Sequence, residues 1–184
     1  VDSPLVETLV FQGGGALHWI YSSPRYSGDV DFVDLTILTE GIVAYVEKLR
    51  TVGKGFAINR VKQMSSGYGT RAKWGEVGKP LAKVEIEARA FDEITQSKGK
   101  FPFRVKTPGD IYTDKIFANL ARFDTRSKSS RIAFKPSDLF DLDYLTKSLG
   151  IEPVPKSRIL DRASAYGKRE IVTPELIGNL VEAI

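Results

Sequence analysis

The chain has 184 residues, no cysteine and a formal net charge of +4 at pH 7. That length suffices for one domain with a sizeable core, or for a catalytic core with a small helical appendage, and is too short for two full domains. Without cysteine there are no disulfides, thiolate nucleophiles or sulfur-ligated zinc sites; no apolar run nears the roughly 20 residues that span a bilayer, and residues 1–10 lack the basic and apolar stretches of a secretory signal, so a cytoplasmic protein with no membrane association is expected.

In chain order, residues 8–11 read as a short buried strand that stops at Gly13-Gly14-Gly15, where missing side chains permit a tight turn and the close approach of another group. Residues 16–21 can then start a helix, 22–28 form a loop by their Ser, Pro and Gly content, and Val30, Phe32 and Leu35 mark a second strand. Ile42, Val43, Val46 and Leu49 fall at helical spacing between a Thr39 cap and a Gly53 stop. Residues 56–64 and 81–90 read as two strands joined by a long, basic, glycine-rich loop over 65–80. In the second of these, Val84, Ile86 and Ala88 alternate with Lys83, Glu85, Glu87 and Arg89, giving one core face and one ionic face. A further strand is predicted over 101–105, and helices over 110–123, 137–149 and 174–184. Strands thus dominate the first half and helices the second, an α+β arrangement with a core over 1–106 and a helical region over 107–184 packed on it.

Asp29-Val30-Asp31 opens the second strand, where side chains two apart point to the same side. Both carboxylates can therefore meet one hard cation, Mg2+ or Mn2+, while Val30 enters the core. Glu85 or Glu87, on a strand that alternates in the same way, can supply a third acid. Three carboxylates meeting across neighbouring strands can hold two metal ions, one activating a hydroxyl and one steadying a triphosphate. The backbone N–H groups of Gly13 to Gly15, at a helix start, are suited to phosphate oxygens. Each feature has an ordinary reading as well: a solvated strand end, a plain turn, surface pairs of Glu85 and Glu87 with Lys83 and Arg89.

The order Gly13-Gly14-Gly15-Ala16-Leu17, then Arg25-Tyr26-Ser27-Gly28-Asp29-Val30-Asp31-Phe32, resembles the nucleotidyltransferase toxins of the AbiEii kind, in the polymerase-beta-like nucleotidyltransferase superfamily. Lys83-Val84-Glu85-Ile86 resembles the family's lysine-x-acid strand, Asp114-Lys115-Ile116-Phe117-Ala118 with Arg122 its lysine helix, and Asp138-Leu139-Phe140-Asp141-Leu142 its closing element. The resemblance spans residues 13–142 and implies metal held by Asp29, Asp31 and Glu85, with Gly13, Gly14, Arg25 and Ser27 around the nucleotide. It further implies that Lys115 contacts the triphosphate and that Asp138 is a base or an orienting group. The implied reaction moves a nucleoside monophosphate from a nucleoside triphosphate to an acceptor, a tRNA 3′ end or a protein, and a cognate antitoxin is the implied partner. A compact ammonium near the β- and γ-phosphates would offset charge on the leaving pyrophosphate. The chain departs from the family's pattern at Gly15, where Thr or Ser is usual, at Glu85, where Asp is usual, and at Ser137, where Arg is common.

The remaining chemistry-bearing residues divide between functional and structural readings. Two basic clusters, Arg60 to Lys83 and Arg122 to Lys135, suit nucleotide or nucleic-acid phosphates or a plain solvated surface. His18, the only histidine, reads as a packed or helix-surface residue, with nucleotide contact or proton donation as the functional alternative, and Trp19 reads as core and Tyr21 and Tyr26 as partly buried loop anchors, with base stacking as theirs. Tyr68, Arg71, Lys73 and Trp74 interleave rings with cations as single-stranded RNA binders do, or mark a hairpin tip. Phe117, Leu120, Phe134, Leu139, Phe140, Leu142 and Leu145 are predicted to form core between the last two motif helices, with Asp141 and Asp143 pairing to nearby cations. The competing functional expectation is a non-catalytic protein of the same fold that binds RNA or a partner protein through its basic surface.

Overall fold

The computed structural model describes residues 8–34, 56–64, 67–76, 79–88, 95–122, 135–168 and 170–182. They belong to two compact units, Val1–Lys106 and Thr107–Ile184. The predicted helix over 40–52 lies outside the described residues, as does Phe134.

The first unit is built on a mixed seven-stranded sheet in the order β3-β4-β5-β2-β1-β7-β6. Its strands are β1 Leu9–Gln12, β2 Asp29–Asp34, β3 Phe56–Met64, β4 Gly67–Glu76, β5 Lys79–Ala88, β6 Thr95–Gln96 and β7 Arg104–Lys106. All four residues of β1 are buried, as expected of a central strand covered on both faces whose sequence is a continuous apolar run rather than an alternation. β1 runs antiparallel to β2, pairing Gln12 with Asp31, and parallel to β7. β2 in turn runs parallel to β5, pairing Asp29 with Lys83 and Asp31 with Glu85. Phe11, Phe32, Phe101 and Phe103 form a ring cluster with centroid separations of 4.9–5.8 Å, in tilted and edge-on arrangements that aromatic quadrupoles favour.

Residues 65–80 are not a long loop, as the glycine content implied. Most of them form β4, which pairs with β3 on one side and β5 on the other to make an antiparallel meander. The alternation of Tyr68, Thr70, Ala72 and Trp74 with Gly69, Arg71 and Lys73 is a strand period that the glycines disguise. A second difference concerns the triple glycine, which forms the first turn of helix α1, Gly13–Trp19, instead of a turn before it. Only Gly13 needs left-handed backbone there, at φ 70°.

The second unit contains helices α2 Pro108–Ala121, α3 Pro136–Lys147, α4 Lys156–Ala165 and α5 Pro174–Glu182. The Thr107 hydroxyl accepts from the Asp110 N–H at 3.3 Å, and Pro108 occupies the first turn, so α2 starts with both a cap and a preset φ. Ile111, Ile116, Leu120, Leu142, Leu145, Ile159 and Ile177 form the core. Asp110 is wholly buried and is gripped by Arg158 and by Arg162, the latter at 2.8 Å, while Arg162 also donates to Asp114 at 3.0 Å. Helix α4 has no counterpart among the predicted elements, because Lys156, Arg158, Asp161 and Arg162 leave few apolar positions to carry a helical period. Contrary to expectation, Leu139 and Phe140 are exposed, whereas Phe117, Leu120, Leu142 and Leu145 are core. On α3 only the face carrying Asp138, Asp141, Leu142 and Leu145 is buried, the i, i+3, i+4, i+7 pattern of one helical stripe.

Candidate active site

In the first unit, the sheet register assembles the predicted acids. Asp29 and Asp31 occupy alternate positions at the start of β2, and Glu85 is the direct neighbour of Asp31 on β5. Laterally paired residues share a sheet face and strands lie about 4.8 Å apart, so Glu85 stands beside Asp31 on one face, and Asp29, two residues along β2 and paired with Lys83, shares that face about 6.6 Å from Asp31 along the strand. All three are partly exposed at this strand end, whereas Phe32, Val33 and Asp34 further along are buried. Glu87 pairs with Val33, further along the strand from the clip.

The glycine turn lies against these acids. A Cβ on Gly13 would stand 3.0 Å from Asp31 Oδ2, so the missing side chain is what lets the carboxylate reach the backbone. Above Gly14 lie the Arg25 guanidinium and, at 3.2 Å from its virtual Cβ, the Ser27 hydroxyl. On Gly15 a Cβ would meet the Asp29 backbone carbonyl at 2.8 Å and the Phe11 ring at 3.1 Å. This explains the departure from the usual Thr or Ser: in this chain the helix start packs too closely on β2 and β1 for any side chain at that position. Gln12, the residue capping α1, makes no side-chain cap hydrogen bond.

The loop between α1 and β2 is pinned at several points. His18 Nδ1 lies 2.9 Å from the Ser23 carbonyl oxygen, so the single histidine fastens helix to loop. Tyr21 is buried: its hydroxyl donates to the Lys106 carbonyl at 2.8 Å and accepts from Gln96 Nε2 at 2.7 Å. Burial raises its pKa, opposed by the Gln96 hydrogen bond. Trp19, expected in the core, is instead 63% exposed, and Tyr26 66%. A seven-residue helix turns only its Ala16 and Leu17 side chains fully inward.

In the second unit, the predicted Lys115 and Asp138 meet. Lys115 Nζ donates to Asp138 Oδ1 at 2.6 Å and lies 2.7 Å from Asp141 Oδ2, while Arg122 Nη1 is 2.7 Å from Asp138 Oδ2. Burial on its own would raise the Asp138 pKa, but Lys115 and then Arg122 outweigh it and hold the carboxyl below the usual carboxylate range. Two cations thus balance two carboxylates. Asn119, which sequence reasoning passed over, organises this group. It is buried; its Nδ2 donates to the Lys115 carbonyl, and its Oδ1 accepts from Arg122 Nη1 at 3.4 Å and from the Lys135 N–H at 3.3 Å. The available signal was its spacing, four residues after Lys115 and three before Arg122 on one helix. Ser137, standing where Arg is common, is partly exposed at the start of α3.

As a metal site, the clip offers only carboxylate oxygens, the donor set that a hard divalent cation takes. Among the described residues no three acidic or histidine side chains close on one point. The fit is therefore that of a two-carboxylate clip, Asp29 and Asp31, with Glu85 one strand away.

A mixed sheet with a glycine turn packed on a strand that opens Asp-x-Asp, followed by a helical region, defines a nucleotidyltransferase fold. The chain belongs to the family described as "Nucleotidyl transferase AbiEii toxin, Type IV TA system", which matches residues 1–183. It is thus a nucleotidyltransferase toxin by family. Solved structures with the same fold include JHP933 from Helicobacter pylori, at 21% identity and TM-score 0.51 over 98% of this chain and 82% of that one. Another is an antigenic nucleotidyltransferase-like protein from Paracoccidioides brasiliensis, at 16% identity and TM-score 0.50 over 95% of this chain and 79% of that one. The Megavirus polyadenylate synthase aligns at 12% identity and TM-score 0.52 over 97% of this chain but 45% of that longer one. A comparison with curated protein sequences finds no match. No helix among the described residues is long and apolar enough to cross a membrane.

Proposed function

We propose that this toxin is a metal-dependent enzyme that transfers a nucleoside monophosphate from a nucleoside triphosphate to a tRNA 3′ end or a protein in the cytoplasm, and that a cognate antitoxin restrains it. The observation that carries the reading is the register: Asp31 is paired with Glu85 across parallel strands, flanked by Asp29, with its carboxylate against the Gly13 backbone. In the reaction, the acceptor oxygen bonds to the α-phosphorus as the bond to the β-phosphate bridging oxygen breaks. Pyrophosphate leaves with that electron pair, and the acceptor proton passes to a carboxylate of the clip or to water. Mg2+ or Mn2+ on Asp29 and Asp31, with Glu85 in reach, would supply charge neutralisation for the triphosphate. Gly13 and Gly14 offer close backbone approach for phosphate oxygens, with Asp31 against Gly13 and Arg25 and Ser27 as donors against Gly14.

Lys115 and Asp138 have narrower roles in this reading. An ammonium has three donors, and Lys115 directs two of them at Asp138 and Asp141, which leaves a third for an anionic group. A carboxylate held ionised below its usual range is a weak proton acceptor at neutral pH. Asp138 therefore orients Lys115 and Arg122 rather than serving as base.

The second reading, a non-catalytic protein of this fold that binds RNA or a partner protein, draws on the open arrangement of the acids, none of which closes with two others around one point among the described residues. Calorimetric titration with triphosphate separates the two. Catalysis predicts binding that requires magnesium and disappears in Asp31→Ala, with label from an α-labelled triphosphate reaching an acceptor. Magnesium-independent binding that Asp31→Ala retains, with no transfer, favours the second reading.

A further inference from the structure

Helix α1 and the loop that follows it present two large aromatic rings to solvent. Trp19 is 63% exposed and Tyr26 66%, although rings of this size bury some 150–250 Å² when covered. They are held in place rather than left on free rotors. The His18 ring lies edge-on to both, 5.3 Å from Trp19 and 5.5 Å from Tyr26, and is itself fixed by the Ser23 carbonyl at 2.9 Å. The Gly28 backbone lies under the Tyr26 ring, at 3.6 Å from Cε1 to a virtual Cβ. Arg25 Nη1 donates to the Tyr26 carbonyl at 3.3 Å, tying the guanidinium to the backbone of the ring-bearing residue.

Both rings sit on elements whose other ends carry the proposed chemistry. Trp19 closes the helix that begins at Gly13, and Tyr26 precedes Asp29 by three residues. A seven-residue helix is about 10 Å long, and three extended residues reach about as far, so the rings lie within one such length of the glycine turn and the acids. A bound nucleotide would have most of its surface enclosed; rings that are two-thirds open suit a strand passing over them. Stacking on exposed aromatic rings tolerates any base, because every base has a π-face, and a neighbouring guanidinium can take the strand's phosphates. A protein partner covering the same rings would pack them against its own side chains, and binding of bare single-stranded RNA to the rings separates the two.

We propose that Trp19 and Tyr26, braced by His18, form a stacking platform for the unpaired bases at the 3′ end of a single-stranded RNA acceptor. This rests on the nucleotidyl-transfer reading for its meaning, and it selects RNA over protein as the acceptor class of that site.

The test is fluorescence anisotropy of a labelled single-stranded RNA of about ten nucleotides with the full chain, without magnesium or triphosphate. Wild type is compared with Trp19→Ala, Tyr26→Ala and Trp19→Phe, each checked by circular dichroism for an unchanged fold. Affinity is expected to fall about ten-fold in each alanine variant, within the range measured for loss of one base–aromatic stack, and to recover largely in Trp19→Phe. Three results overturn the platform: alanine variants that bind RNA like wild type, variants that lose triphosphate binding instead, or transfer to a protein acceptor that both alanine variants leave intact. If RNA binding depends on Trp19 while no transfer is ever seen, the platform stands and the enzymatic reading fails. If transfer proceeds on RNA while Trp19→Ala changes neither affinity nor KM, only the platform fails.

Discussion

Asp138→Asn tests the balanced ion group of the second unit directly, because it keeps the shape of the side chain and removes its charge. In the wild type, Asp138 and Asp141 are 4% and 0% exposed, Lys115 12% and Arg122 39%. Removing one partner of a buried pair costs about 3–5 kcal/mol, since the other is left poorly compensated. Lys115 retains Asp141, which places the cost at the low end of that range. Arg122 is more than a third exposed and solvent screens it, so its lost pairing adds under about 1 kcal/mol. The expected loss is about 3 kcal/mol at pH 7, read from urea denaturation followed by the helical circular dichroism signal. The folded-state pKa of Asp138 is depressed, so its contribution is fully present above the ordinary carboxylate value of 3.8. It declines as pH falls from there through the lower folded value, where the unfolded chain takes up the proton first. The gap between wild type and variant should therefore close on acidification. A loss below about 1 kcal/mol at pH 7, or a gap that widens towards acid, refutes the reasoning.

The other predictions concern the first unit. Gly15→Ser brings a Cβ onto the Asp29 carbonyl and is expected to cost about 1–3 kcal/mol, as overpacking does; a thermal melt at or above the wild-type midpoint would contradict it, even though the substitution restores the residue type usual in the family. Gly13→Ala forces a left-handed backbone on a residue with a side chain and should cost about 1–2 kcal/mol, seen as a lower urea midpoint. Tyr21→Phe removes the hydroxyl that joins Gln96 to the Lys106 carbonyl and leaves a buried acceptor short of its donor, for about 1–3 kcal/mol. Its check is amide exchange around Lys106, which should quicken.

Much of the fold was legible because short-range periodicity survives in the sequence. The apolar run of β1, the alternation in β5, the capped start of α2 and the proline in the first turn of α3 each express a local rule, and the Asp-x-Asp at the head of β2 states its own geometry, since a strand puts alternate residues on one side. Strand alternation alone left Glu85 and Glu87 both open as the neighbour of Asp31, and only the resemblance pointed to Glu85. The neighbour is decided by the parallel register of β2 and β5, which pairs Asp31 with Glu85 and Val33 with Glu87. Register is a property of two segments more than fifty residues apart, and no spacing along the chain contains it.

The same holds for the features that reading along the chain misplaced. Trp19 is a large apolar residue at the end of a helix, and composition puts such a residue inside; the shortness of α1 and its docking through Ala16 and Leu17 leave it outside. The glycines of β4 weigh towards a loop until two strands flank it and satisfy its backbone groups. Gly15 reads as a missing hydroxyl until the Asp29 carbonyl and the Phe11 ring fill the space a side chain would need. The sequence by itself determined which residues can hold a cation, approach a phosphate or cap a helix, because those capacities belong to the side chain and its immediate neighbours. Only the tertiary structure decided which of them face one another and which are left open to solvent, because pairing and exposure are set by packing between distant segments.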